Sequence, residues 1–304
     1  MRTYTLTAAL VVLGYFLVAP AVNYSVDPFG YWGTNSQAYY FGSEREIKRG
    51  LIEKRRYDGL VMGSSKVAAM KTGQIPGYHV LNAAWSAGLP EEFLYFLEET
   101  DPQIRFLAIG LDLYMFNEQG FPLKTPADFN SSRHAIDYLI SPSLLWKSLQ
   151  TVRMHLQDRR PWIRPDGARN YAEGFDSERA VDDEGALQKV QSIYFTNFRF
   201  SQRRIENLRE ISDHCDRTGI QLIIWLNPCS QPVLDLIAGQ HVRQEWSRLK
   251  QELSDFPNFI DLSESYSDRS FFARHDPVHY YPSVALDIFE EHIRPQIERP
   301  ASVR

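Results

Sequence analysis

Two short motifs carry side chains able to do covalent chemistry. Gly63-Ser64-Ser65-Lys66 offers a hydroxyl in a small-residue turn, and Asp276-Pro277-Val278-His279, about 200 residues later, offers a carboxylate and an imidazole three positions apart. A serine hydroxyl is a poor nucleophile at neutral pH until a base takes its proton, and the usual base is an imidazole held in one tautomer by a carboxylate. The motifs therefore nominate Ser65 as nucleophile, His279 as base and Asp276 as its orienting partner, in the chain order Ser, Asp, His. Acyl transfer also needs donors for the tetrahedral oxyanion, each worth about 2–4 kcal/mol of barrier. The Ser65 N–H and one from Ala87 or Gly88 are the backbone candidates. Ser64 reads as the cap of a following helix, Lys66 as a solvated lysine and His275 as a surface residue out of frame.

These residues act together only if the fold brings them together. Residues 58–63 form a short apolar run without alternation, as in a strand buried on both faces. Similar strands are expected at 78–82, 104–110, 220–226 and 259–261. Helices are expected at 44–56 behind Ser43, from Pro90, over 202–217 with Gly219 as C-cap, over 232–253 and over 283–298. Strands separated by helices indicate an α/β three-layer sandwich on a five-stranded parallel sheet, flavodoxin-like, whose ligands bind outside the carboxyl ends of the strands. Ser65, the 83–88 loop, Asp112, Asn227 and the Asp276/His279 loop all follow strand ends.

Between residues 113 and 194 the alternation lapses. An apolar helical stretch at 139–149 precedes a polar span, 157–183, too poor in aliphatics for a core of its own, so 113–194 reads as an insertion in a domain spanning 57–304. Four aromatics within residues 194–200 suit a seal between insertion and core.

The chain has 304 residues, 43% hydrophobic and 23% charged, with a net charge of -5. Its basic residues are scattered among acids, which argues against nucleic acid as a partner. Residues 4–22 are uncharged, behind Arg2, and about 19 helical residues approach the ~30 Å hydrocarbon thickness of a bilayer. The preferred reading is a single-pass anchor (residues 1–22) in the cytoplasmic membrane, with a linker and first helix at 23–56 and the catalytic domain extracytoplasmic or periplasmic. A cleaved signal ending near Ala19-Pro20-Ala21 is the competing one. Cys215 and Cys229 fall at opposite ends of a strand, too far apart for a disulfide, and are expected as buried free thiols. No spacing suggests a metal site and no glycine-rich loop a nucleotide, so no cofactor is expected.

The chain resembles the SGNH/GDSL hydrolase superfamily, and within it the membrane-anchored extracytoplasmic proteins of alginate-type polysaccharide O-acetylation. The resemblance rests on Asp27-Pro28-Phe29-Gly30, on the block ending Gly63-Ser64-Ser65, on residues 82–88, on Gly110-Leu111-Asp112, and on Asp276 to His279. It implies a serine-dependent O-acyltransferase that acetylates a polysaccharide or other hydroxyl-bearing acceptor, with a membrane-bound O-acyltransferase as partner. An esterase or deacetylase using the same residues is one alternative; a non-catalytic polysaccharide-binding or assembly subunit is another. The family's third-block asparagine, an oxyanion donor, stands here as Asp112. An ionised carboxylate would repel an oxyanion, so Asp112 must be protonated, turned aside or replaced by another donor, for which Asn227 is placed.

Overall fold

The computed structural model describes residues 2–32, 39–126, 135–170, 183–239, 242–273 and 276–299. His275, residues 33–38 of the linker, residues 171–182 of the polar span and residues 240–241 lie outside them.

Five strands form one all-parallel sheet: β1 (Gly59–Gly63), β2 (Val80–Asn82), β3 (Phe106–Leu111), β4 (Gln221–Leu226) and β5 (Phe259–Asp261). Their order is β2-β1-β3-β4-β5, so the chain reverses its direction of travel between β1 and β3. Such a reversal opens a crevice beyond the strands' carboxyl ends, where the connections leave in opposite directions.

β1, β3 and β4 are buried along their whole length, because alternate residues feed two cores. Leu60, Met62, Leu107, Ile109, Leu222 and Ile224 face one core. It is completed by helices Glu44–Lys54, Pro90–Thr100, Gln202–Thr218, Gln231–Gly239 and Arg243–Ser254. Val61, Phe106, Ala108, Ile223 and Trp225 face the other, which packs against Val284, Ile288 and Phe289 of the C-terminal helical segment. That segment begins as an α-helix, Pro282–Ile288, widens into a π-helical turn, Phe289–Ile293, and closes with Arg294–Ile297. Two charged side chains tie the first layer together: Arg204 forks onto Glu91 at 2.9 and 3.0 Å, both buried.

Several boundaries differ from those read in the sequence. The single helix expected over 232–253 is two, Gln231–Gly239 and Arg243–Ser254. The helical stretch near 139–149 is a pair, Ala135–Ile140 and Pro142–Leu156, the second capped by the Ser141 hydroxyl, which accepts from Leu144 N at 3.2 Å. Gly219 does cap its helix, in the left-handed conformation that glycine adopts without strain (φ 71°). Cys215 and Cys229 are buried and unbonded, on either side of β4.

The chain begins with a helix, Arg2–Val26, whose Tyr4–Val26 stretch is long and apolar enough to cross a membrane, as a signal sequence also can be. It runs directly into a turn at Asp27–Gly30. A Cβ on Gly50 would sit 2.8 Å from the Gly30 carbonyl oxygen and 2.9 Å from that of Phe29, so only glycine lets the helix Glu44–Lys54 lie this close to the turn.

Candidate active site

Ser65 follows β1 in a turn fixed by its neighbours. Gly63 has φ 151°, and a Cβ there would lie 2.8 Å from the Gly110 carbonyl oxygen of β3, so the strand must end in glycine for the turn to form. The Ser64 carbonyl then accepts from Val67 N and Ala68 N at 3.1 Å each. The Ser64 hydroxyl accepts from Lys66 N at 3.1 Å. Ser64 is thus fully buried and closes this turn; the 3-10 turn Val67–Ala69 that follows has no side-chain cap, contrary to the capping role read from sequence.

The loop after β5 carries the other two groups. Asp276 Oδ1 accepts from the backbone N–H groups of Val278 (2.9 Å) and His279 (3.1 Å), while Oδ2 meets His279 Nδ1 at 2.6 Å. This bond puts the imidazole proton on Nδ1 and leaves Nε2 as an acceptor, an assignment that follows from the hydrogen-bond network. Nε2 lies 2.8 Å from Ser65 Oγ. Burial by itself raises an aspartate, but the hydrogen bond and charge of His279 and two backbone donors outweigh it and hold Asp276 at about 2. The carboxylate therefore stays ionised throughout the neutral range.

The loop is clamped from several sides. Ser230 Oγ donates to the Pro277 carbonyl at 2.6 Å, Ala273 N to the His279 carbonyl at 2.9 Å and Tyr281 N to the Phe271 carbonyl at 2.9 Å. Tyr280, fully buried, donates its hydroxyl to Asn227 Oδ1 at 3.0 Å. Ser230 was not singled out by its sequence context: a serine before a helix reads as a cap.

Lys66 departs furthest from expectation. It is buried, with Nζ 2.8 Å from Asp112 Oδ1 and 3.3 Å from the Pro228 carbonyl oxygen, which it donates to. Burial opposes the ammonium, yet the Asp112 carboxylate more than compensates and keeps the lysine protonated well into the alkaline range. Of the three options for Asp112, neutralisation by a lysine was not among them. The pair exists because β1 and β3 are neighbours in register, Gly63 opposite Gly110, so the residues following each strand converge.

The backbone candidates separate. Gly88 N donates to the Trp85 carbonyl at 3.2 Å, so that donor is engaged, whereas the N–H groups of Ser65 and Ala87 have no acceptor among the described residues. Ala87 is exposed with φ 50°. Asn227 is buried; its Oδ1 accepts from Trp225 Nε1 at 2.9 Å and from Tyr280, and its Nδ2 has no partner among the described residues.

The 83–88 loop is held from below. Trp85 N donates to the Gly63 carbonyl at 3.2 Å, and Asn82 Nδ2 donates to the Val67 and Met70 carbonyls at 2.9 Å each. Ser86 N donates to Glu44 Oε2 at 2.8 Å. Arg169, from the polar span, pairs with Glu44 and also donates to the Ser86 hydroxyl. That span is no loose appendage. Asp166 accepts from Asn82 N at 2.9 Å through its carbonyl, and Ile163 and Ala168 are fully buried.

A cleft of 210 Å³ opens on Asp276 and His279, walled by Ala186, Lys189, Val190, Ile193, Tyr194 and Val278. Five of those six come from the helix Asp183–Val190 and the π-helical turn Gln191–Phe195, so the second half of the 113–194 region forms one side of the site. A smaller cavity of 30 Å³ beside it is lined by Lys66, Asp112, Asn227 and Cys229 among apolar side chains. The aromatic cluster does seal: Tyr194 stacks on Tyr114 at 4.6 Å and Phe200 on Phe116 at 5.9 Å. Tyr194 also lines both cavities.

The arrangement can do one piece of chemistry readily. His279 Nε2 can take the Ser65 proton while Asp276 stabilises the resulting imidazolium. Among the described residues no three His, Cys, Asp or Glu side chains gather as they would around a metal ion. No protein-family profile matches the chain, and no curated protein is significantly similar to it.

Proposed function

We propose that the protein is a membrane-anchored, extracytoplasmic serine O-acyltransferase of the SGNH hydrolase type, acetylating a polysaccharide or another hydroxyl-bearing acceptor. The observation that carries the enzymatic part is the hydrogen-bonded series Ser65 Oγ, His279 Nε2 and Nδ1, Asp276 Oδ2, at 2.8 and 2.6 Å. The strand order β2-β1-β3-β4-β5 supports a flavodoxin-like sandwich of the kind that superfamily uses. The acetyl group, the polysaccharide acceptor and a membrane-bound O-acyltransferase partner come from the resemblance of the five sequence blocks.

In this reading His279 removes the Ser65 proton as Oγ attacks the donor ester carbonyl. The tetrahedral intermediate collapses, the proton passes from His279 to the departing alcohol, and the acyl group remains on Ser65. An acceptor hydroxyl then enters, loses its proton to His279 and takes the acyl group, and the proton returns to Ser65. The N–H groups of Ser65 and Ala87 are the oxyanion donors. The Lys66 ammonium cancels the Asp112 charge that would oppose the intermediate, which removes the main ground for a non-catalytic reading.

A retained anchor is favoured over a cleaved signal by the packing of the N-terminal helix. Ala19 and Asn23 are fully buried, and Asn23 is hydrogen-bonded to Leu139 O and to the Ser148 hydroxyl at 2.8 and 2.9 Å. Cleavage near residue 21 would leave Asn23 in place but remove the buried Ala19, and with it Tyr15, whose hydroxyl donates to the Ile140 carbonyl at 2.5 Å.

The test is full-length protein in detergent, given an acetyl ester with and without an oligosaccharide. Acetate moving to the oligosaccharide, and lost in Ser65→Ala, is the expected result. Equal release of free acetate with or without acceptor assigns an esterase instead. Turnover unchanged in Ser65→Ala contradicts both.

A further inference from the structure

The helix Pro142–Leu156 is amphipathic in the wrong sense for a protein in water. The face turned inward carries Leu144, Ser148 and Thr151, all buried. The outward face carries Trp146, Leu149, Val152 and Leu156, which are 62%, 49%, 42% and 79% exposed. At 3.6 residues per turn these four fall within a stripe about 120° wide. Ile136 of the preceding helix, Ala135–Ile140, is exposed as well. Arg153, in the last turn, is the one charged side chain inside that stripe; the rest is an apolar face that, left open, marks a surface made to be covered.

What covers it is indicated by what it adjoins. Both helices pack on the N-terminal helix: Tyr138 donates to Asp27 Oδ1 at 2.8 Å, Asn23 Nδ2 to the Leu139 carbonyl at 2.8 Å and Tyr15 to the Ile140 carbonyl at 2.5 Å. Tyr15 lies eight residues before Asn23, about 12 Å further along a helix axis. The turn between the two helices therefore reaches down the apolar stretch Tyr4–Val26 itself. The turn that follows that stretch, in which Asp27 accepts from Trp32 N at 2.9 Å, lies against the body, with Gly50 of the helix Glu44–Lys54 close against the Phe29 and Gly30 carbonyls. Arg153, Arg159 and Arg160 are exposed at the far end of the pair, as is Trp162, suiting anionic headgroups and the membrane–water boundary.

We propose that residues 135–162 form a membrane-interface hairpin, which lies against the spanning helix and beds Trp146, Leu149, Val152 and Leu156 into the lipid surface. The inference rests on the anchor being retained. The hairpin fixes the tilt of the globular body on the bilayer, and with it the height of the cleft at His279, so that the body does not swing freely on its anchor.

The test uses the full chain in phosphatidylcholine–phosphatidylglycerol vesicles that carry a nitroxide high on the acyl chain. A fluorophore is attached in turn at Leu149→Cys, Leu156→Cys, Leu13→Cys within the apolar helix, and Gln251→Cys on the exposed face of the helix beside β5. The native chain, with its buried Cys215 and Cys229, gives the background. Roughly twofold or greater quenching at positions 149 and 156, with none at 251, is expected for side chains bedded in the interface. Quenching at 13 but not at 149 and 156 overturns the hairpin while sparing the anchor, and leaves a protein partner as the cover. No quenching at 13 removes the anchor reading and the hairpin with it.

Discussion

Lys66, one residue beyond Ser65, and Asp112 form a buried ion pair, Nζ to Oδ1 at 2.8 Å, with side chains 7% and 4% exposed. The charge of Asp112 is therefore already cancelled, and Asp276 is left as the ionised carboxylate beside His279. Two charges taken out of water in this way are costly to separate: removing one partner leaves the other uncompensated, typically at ~3–5 kcal/mol.

Lys66→Met and Asp112→Asn should each destabilise the fold by about that amount, and the double substitution should cost well under their sum. Urea unfolding of the three variants measures it. Strict additivity would mean that the two side chains do not interact.

Asp276 predicts an acid-sensitive component of stability. Its folded pKa is about 2 against 3.8 for an ordinary aspartate, so the stabilisation is complete above the unfolded value and drains away as pH falls from about 4 towards 2. The side chain is 42% exposed, so solvent screening leaves on the order of 1 kcal/mol. Unfolding curves of Asp276→Asn should lack this fall between pH 4 and 2. The same variant, with its amide in place of the acceptor for Nδ1–H, should lose roughly 10³–10⁴ of turnover at neutral pH through the wrong tautomer. Turnover within tenfold of the native protein would remove Asp276 from the relay.

Lys48 predicts a second rise of stability with pH, in the alkaline range. It is fully buried beneath the 83–88 loop and donates to the Ala84 carbonyl. Burial depresses it to about 7 despite the Glu44 carboxylate nearby, with Arg169 pushing the same way. Between about 7 and 10.5 the unfolded chain holds a proton that the folded chain has lost, so stability rises with pH across that window. Lys48→Met, similar in length and uncharged, should flatten the rise. Urea midpoints taken from pH 7 to 10 on both proteins check this, and equal slopes would refute it.

The α/β sheet was legible because buried parallel strands announce themselves as short unalternated apolar runs, and glycine and proline punctuate them. Gly219 and Pro90 fall at helix ends for local backbone reasons that a sequence carries directly. Lys66 was not legible. A lysine beside a serine turn reads as solvated, and its burial depends on Asp112 arriving from β3 through sheet register, which no local pattern encodes. The outward apolar stripe of Pro142–Leu156 was equally hidden: its period marks a helix, but which face meets the protein is decided by Asn23 and Ser148. The wall of the cleft, within residues 186–194, was read as part of an insertion, since its approach to His279 is purely a matter of tertiary packing.

The central claim is that Ser65 is an activated nucleophile. The direct measurement is mass spectrometry of the folded full-length protein after exposure to a fluorophosphonate, with Ser65→Ala and His279→Ala treated alongside. One phosphonyl group on the Ser65 peptide, absent from Ser65→Ala and strongly slowed in His279→Ala, is the result predicted. An unlabelled Ser65 in the folded protein, or labelling that persists at full rate without His279, would contradict it.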